Sequence, residues 1–245
     1  MMVMSLAFNA FTTLILTRGN GKFRLGPGES TEDLLRILKE KQVKATLFVL
    51  GSQVAEDGMA RLLKQAYNDG HQIASHTYDH IDLNRLSSEK IKQQMLNTEA
   101  EIKKVIGVVP AMMRPPYGNC SETCTKVMKD LGYSVIQWNV DSDDWTYMGK
   151  PKEYDELVDN ILSKVYRSNP TKDSWISLQH DIHKFSVERT PKIVDRIKAK
   201  GYKFVTVNEC LKCTIELDQL SQPYPNFDNH FPVWLRLYQP FIQQN

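Results

Sequence analysis

The sequence predicts an α/β fold, most economically a closed or nearly closed (β/α) barrel. Strand and helix signals alternate with regularity. The strand segments are short apolar runs, as expected of parallel strands buried on both faces. Nothing resembling an interdomain linker interrupts the alternation before residue 211. The length of 245 residues suits one large domain or two small ones.

The elements follow in order. "MMVMSLAFNAFTTLIL" is apolar without a basic leader, compatible with a secretory signal, a buried strand or a poorly ordered start. Ser30-Thr31-Glu32-Asp33 has the form of a capping box, opening a helix with Leu34, Leu35 and Leu38 on one face. "KATLFVLG" is a buried strand. A helix from about Val54 to Asn68 stops at Gly70, and "HQIASH" is the next strand. Residues 88–106 form a long helix closed by Gly107, "AMMR" a brief strand, and 121–131 a helix ending at Gly132. "YSVIQWNV" (strand), 152–167 (helix), "WISLQH" (strand), 187–200 (helix) and "YKFVTV" (strand) complete the alternation. The proline- and aromatic-rich tail is expected to pack over the barrel as irregular structure.

Composition narrows the function classes. Apolar content is 41%, charged content 24% and net charge +2, an ordinary globular balance with no electrostatic case for nucleic acid or an anionic surface. No apolar run is long enough to span a bilayer. The four cysteines fall as Cys120 and Cys124, and Cys210 and Cys213. Neither pair is flanked by a second pair at zinc-ribbon spacing, and an even count fits disulfides. Asn119-Cys120-Ser121 is an N-glycosylation sequon.

The chemistry-bearing residues share one kind of place. His76 and His80 follow "HQIAS", and their four-residue spacing suits two ligands of one metal. Arg114-Pro115-Pro116-Tyr117 follows the next strand. Asp141-Ser142-Asp143-Asp144-Trp145 follows "YSVIQWNV", and His180 ends "WISLQH". Singly, each reads as ordinarily structural: chance histidines, a stiff turn, a solvated loop or helix cap, a strand end. In a (β/α) barrel, however, all C-terminal strand ends open on one face, where active sites are built. Residues more than a hundred positions apart therefore converge.

In order and spacing, "HTYDH", "RPPYGN", "DSDDW" and "SLQHD" resemble motifs two to five of the polysaccharide deacetylases, the carbohydrate esterase group that includes chitin deacetylases. "GPGESTEDLLRILKEKQVKATLFVLG" is similar to that family's first helix and second strand, so the resemblance covers residues 26–211. It implies a distorted (β/α) barrel and metal-dependent removal of acetyl groups from N-acetylglucosamine polymers such as chitin. It further implies His76 and His80 as ligands of a divalent metal, zinc being the best match to neutral imidazoles. His180 matches the general acid, Asp144 the carboxylate that orients it, and the backbone N–H of Tyr117 an oxyanion donor. Trp145 and Leu178 match the residues of the sugar groove and the acetyl-methyl pocket. The chain is expected to work outside the cell or at the cell wall.

One motif departs. The family's first motif is Thr-Phe-Asp-Asp-Gly-Pro, whose aspartates are the base and the third metal ligand. Lys22-Phe23-Arg24-Leu25-Gly26-Pro27 stands in register with it, so Arg24 and Leu25 occupy both aspartate positions. Setting "LILTRGNG" against that strand also supplies no carboxylate. Arg114, whose counterpart pairs with the base, loses that partner, and nothing in the sequence places Asp79, Asp82 or Asp141, the carboxylates that could substitute, at the empty positions. Cys120 and Cys124 match a local disulfide of fungal chitin deacetylases. The family's cysteine corresponding to Cys210 bonds near the N-terminus, where this chain has none, so only Cys213 is near it. These departures divide the chain into an atypical segment with an atypical first strand (1–25), the deacetylase domain (26–211) and the tail (212–245). Two functions follow: a hydrolase, or a carbohydrate-binding relic that keeps the groove without the chemistry.

Overall fold

A computed structural model describes residues 3–10 and 29–211. The tail and Arg24 and Leu25 lie outside the described residues. The strands are β1 (Val3–Ala10), β2 (Thr46–Val49), β3 (Gln72–Ser75), β4 (Met112–Met113), β5 (Ser134–Val135), β6 (Val140–Asp141), β7 (Trp175–His180) and β8 (Lys203–Val205). The α-helices are α1 (Glu29–Glu40), α2 (Gly51–Val54), α3 (Asp57–Asn68), α4 (Ser88–Ile106), α5 (Glu122–Asp130), α6 (Glu156–Tyr166), α7 (Lys184–Ala199) and α8 (Val207–Cys210). No helix among the described residues is long and apolar enough to cross a membrane.

Every strand pair in the sheet is parallel. The order is β5-β4-β3-β2-β1-β7-β6. β7 lies along one edge of β1 from Met4 to Asn9, while β8 (at Val3–Ser5) and β2 (at Ala7–Ala10) share the other. The two ends of this order, β5 and β6, are consecutive in the chain. The run "YSVIQWNV", expected as one strand, is divided between them: Ser134–Val135 pairs with β4, Val140–Asp141 with β7. Residues 134–136 follow β4 and residues 139–141 follow β7, so the pairing changes partner across Gln137 and Trp138.

Local chemistry explains the helix ends. Ser87 accepts from the Lys90 N–H at the start of α4, and Gly107 ends it in the left-handed region at φ 79°. Ser121 caps α5 in the same way. The expected capping box at Ser30–Asp33 is not used as a start, because α1 already begins at Glu29. The buried Thr31 hydroxyl instead donates to Asp181 Oδ2 at 2.5 Å, tying α1 to the residue after β7. The main core lies between sheet and helices, with Leu34, Leu38, Leu62, Ile161 and Ile193 fully buried around Leu47 and Val49 of β2.

His71 enters β3 with its side chain buried, and its Nδ1 accepts the Ala45 N–H at 3.1 Å. Protonation would set two donors face to face. Burial and the nearby Lys44 charge push its pKa from 6.5 to about 4. Between those values the unfolded chain binds more protons, so this residue makes stability rise with pH across that window, by about 3 kcal/mol in full. His71→Asn retains an acceptor and does not titrate. Urea unfolding from pH 7 to 4 should show a shallower loss of stability in the variant than in the wild type; parallel curves would refute the assignment.

The Cys120–Cys124 disulfide is present at the start of α5, with the Cα atoms 5.1 Å apart. Cys213 lies outside the described residues. A loop this short contributes only about 2 kcal/mol through unfolded-state entropy. Replacing both cysteines by serine is expected to lower stability by that amount in chemical denaturation, with no further loss on adding reductant.

Candidate active site

The strand register assembles the site. Ala10 is level with Val49, Val49 with Ser75, and Ser75 with Met113. His76 and Arg114 are the next residues of their strands and therefore sit side by side. On the other flank Asn9 is level with His180, and Asp141 with Leu178. Four non-glycine residues at this rim adopt positive φ: Thr77 (69°), His80 (57°), Tyr117 (59°) and Asp143 (54°). Such backbone costs of order 1–3 kcal/mol per residue and clusters at working sites.

His76 is fully buried, and its N–H donates to Val49 O at 2.8 Å. Its ring Nδ1 lies 2.7 Å from Arg114 O. A carbonyl only accepts, so Nδ1 carries the proton and the Nε2 lone pair is left bare. Among the described residues that buried Nε2 has no hydrogen-bond partner. A second hydrogen bond that fixes the tautomer and leaves one nitrogen bare is the usual arrangement of a metal-ligating histidine. The His80 ring lies 4.9 Å from the His76 ring and 4.9 Å from that of Tyr117. Burial and the neighbouring His80 charge hold His76 well below 6.5; burial and the His180 charge push His80 down to about 4. Both rings are therefore neutral near pH 7, the form that binds metal.

Arg114 is fully buried, with its guanidinium 4.2 Å over the Phe48 ring and 5.3 Å from the Trp138 ring. Nε donates to Ile136 O at 3.4 Å. Burial lowers its pKa to about 9, opposed by the charge of Asp141. The guanidinium is thus set among aromatic faces, a carbonyl and the charge of Asp141.

The three carboxylates considered as substitutes for the lost aspartates serve their own loops. Asp141 accepts from Trp138 Nε1 at 2.7 Å and from the Asp143 N–H at 2.8 Å. Asp82 accepts from the Asn84 N–H and from Asn119 Nδ2, at 3.0 and 3.2 Å. Asp79 accepts from Gln94 Nε2 at 3.1 Å.

Asp144 and His180 form a pair. Asp144 is fully buried, and its Oδ1 lies 2.6 Å from His180 Nδ1. Its Oδ2 accepts from the His180 N–H at 2.8 Å and from Ser186 Oγ at 2.7 Å. Burial alone would raise the Asp144 pKa, but the His180 charge and hydrogen bond, His183 and Ser186 together lower it. Burial likewise opposes the His180 imidazolium, and Asp144 outweighs it, so that pKa is raised. Trp145 is 54% exposed and Tyr117 62%, so both present broad faces to solvent, whereas Leu178 is buried in β7.

Two residues here escaped the sequence reading. His183 is buried, stacks on Phe185 at 5.3 Å and lies 5.9 Å from the His180 ring; its three-residue spacing from His180 was the available signal. Ser186 had none. One ligand atom each from Asp144, His180 and His183 lies within 4.8 Å of the others, close enough for a shared ion. Asp144 already accepts three hydrogen bonds, one at Oδ1 and two at Oδ2.

Comparison with known proteins agrees with this geometry. A family model described as polysaccharide deacetylase matches residues 21–136. The chain is 38% identical over 190 residues to the chitin deacetylase of Colletotrichum lindemuthianum, covering 76% of each. It is 36% identical over 185 residues to the peptidoglycan-N-acetylglucosamine deacetylase PgdA of Listeria monocytogenes, covering 75% of this chain but spanning only 36% of that protein. The solved structure of the Colletotrichum lindemuthianum enzyme superposes with a TM-score of 0.73 at 32% identity, covering 85% of this chain and 86% of that one. A CE4 family pseudoenzyme from Bacillus anthracis superposes with a TM-score of 0.68 at 26% identity, covering 85% of this chain and 64% of that one. The chain belongs to the polysaccharide deacetylase family and has its mixed α/β fold.

Proposed function

We propose that the site is that of a metal-dependent deacetylase of N-acetylglucosamine polymers, chitin or peptidoglycan, acting outside the cell or at the cell wall. The observation that carries the reading is the pairing of a buried Asp144–His180 couple with a buried, bare His76 Nε2. His76 and His80 would hold the ion, with zinc the best match to two neutral imidazoles. When bound, the ion supplies carbonyl polarisation and an acidified water. His180, fixed through Nδ1 by Asp144, keeps an Nε2 proton for the departing amine. The Tyr117 N–H donates toward the developing oxyanion. Trp145 offers its exposed face to a sugar ring, and Leu178 backs the acetyl methyl.

A second reading is favoured by the commitment of Asp79, Asp82 and Asp141 to other bonds and by the residues that end β1, Asn9 and Ala10. Without a base and a third ligand, the chain would bind polymer and not turn it over. Acetate release from chitin oligomers with added zinc, compared with His180→Ala, decides between them. Release lost in the variant supports the hydrolase. No release with retained oligomer binding, itself weakened by Trp145→Ala, supports the binding protein.

A further inference from the structure

We propose that Ser186, backed by Gln179, is a positioning residue of the Asp144–His180 pair, holding Asp144 Oδ2 so that Oδ1 stays aimed at His180 Nδ1. The inference rests on the reading of those two residues as the proton-donating pair. A carboxylate bonded at one oxygen alone can turn about its Cβ–Cγ bond. Here Oδ2 is held from two sides, by the His180 N–H at 2.8 Å and by Ser186 Oγ at 2.7 Å, and that fixes the plane in which Oδ1 meets Nδ1 at 2.6 Å.

The direction of the serine bond is set by its other neighbour. Gln179 Nε2 lies 3.2 Å from Ser186 Oγ, and an amide nitrogen only donates. The hydroxyl accepts that bond and has one proton left, which goes to Asp144. The donors therefore run one way, from Gln179 to Ser186 to Asp144. Gln179, Ser186 and Asp144 are all fully buried. Shielded from bulk solvent, each bond is stronger than it would be at the surface.

The chain is also placed to make the pair depend on packing. Gln179 precedes His180 on β7, while Ser186 sits in the first turn of α7, its N–H donating to His183 O at 2.8 Å. The seating of α7 on β7 thus sets the carboxylate. A serine that only filled space would need neither the directed bond from Gln179 nor contact with the carboxylate oxygen.

The test is a proton NMR spectrum of the full chain without added metal or substrate, so it does not depend on turnover. The short Nδ1–H···Oδ1 bond of His180 should give a far-downfield, slowly exchanging ring N–H resonance. It should move furthest upfield in Ser186→Ala, be kept in Ser186→Thr, and move upfield by less in Ser186→Cys, whose thiol is a weak donor of similar size. If the alanine variant does not fold, the cysteine variant decides. An unmoved resonance in whichever of Ser186→Ala and Ser186→Cys folds overturns the proposal, whatever the melting temperature does. Asp144→Asn separates the two ideas: if the resonance survives that change, the pair itself has been misread, and the role of Ser186 falls with it.

Discussion

The Asn9→Asp, Ala10→Asp double variant is expected to bind zinc roughly 100-fold more tightly than the wild-type chain, about 2.7 kcal/mol. Two neutral imidazoles hold a divalent ion weakly, and a carboxylate adds both a coordination bond and charge neutralisation. The positions follow from the sheet. β1 lies between β2 and β7, the place of the first barrel strand, and it ends Phe8-Asn9-Ala10. Asn9 is level with His180, and Ala10 with Val49, whose other neighbour, Ser75, immediately precedes His76. Against the family's Phe-Asp-Asp, the same two positions hold an amide and a methyl group. Ala10→Asp alone should provide most of the gain, and adding His76→Ala should abolish it. The sequence register names different positions, Arg24 and Leu25, and the family match begins nearby, at residue 21. Arg24→Asp, Leu25→Asp is therefore the matched control. Calorimetric titration with zinc is the measurement: tightening in the control and not in the residue 9–10 variant would return the first motif to residues 22–27.

That contrast shows what was legible in the sequence and why. His76, His80, Arg114, Asp144 and His180 could be found because each stands just past an apolar run, and parallel strands bring such positions to one rim. The disulfide was legible from the family resemblance. β1 was harder. "VMSLAFNA" has no charged residue at its end, because the aspartates that would have marked it are absent, while "KFRLGP" supplies the phenylalanine and Gly-Pro that attract a match. The division of "YSVIQWNV" was hidden because burial pattern says nothing about which neighbour a strand pairs with. Ser186 was invisible for another reason: a single hydroxyl on a helix acquires its role only when the helix is seated.

Asp144→Ala is expected to lower stability by about 3–5 kcal/mol, the usual cost of breaking a buried ion pair from one side. The change strands three donors at once: His180 Nδ1, the His180 N–H and the Ser186 hydroxyl. The effect should depend on pH in a definite way. Asp144 has a folded pKa below its ordinary 3.8, so its contribution is present above that value and disappears as the pH falls through the folded one. His180 has a folded pKa above its ordinary 6.5, so its contribution is complete below 6.5 and disappears as the pH rises through the folded one. The difference between wild type and Asp144→Ala should therefore be largest in the mildly acidic range between the two ordinary values and shrink on either side. Asp144→Asn keeps the shape but not the charge; its amide can accept from the backbone, so it should cost less and show a flatter profile. Urea unfolding of the three proteins from pH 3 to 9 measures this. A loss below about 1 kcal/mol, or a difference that does not vary with pH, would mean that the pair is not charged in the folded protein and that His180 is held by packing alone.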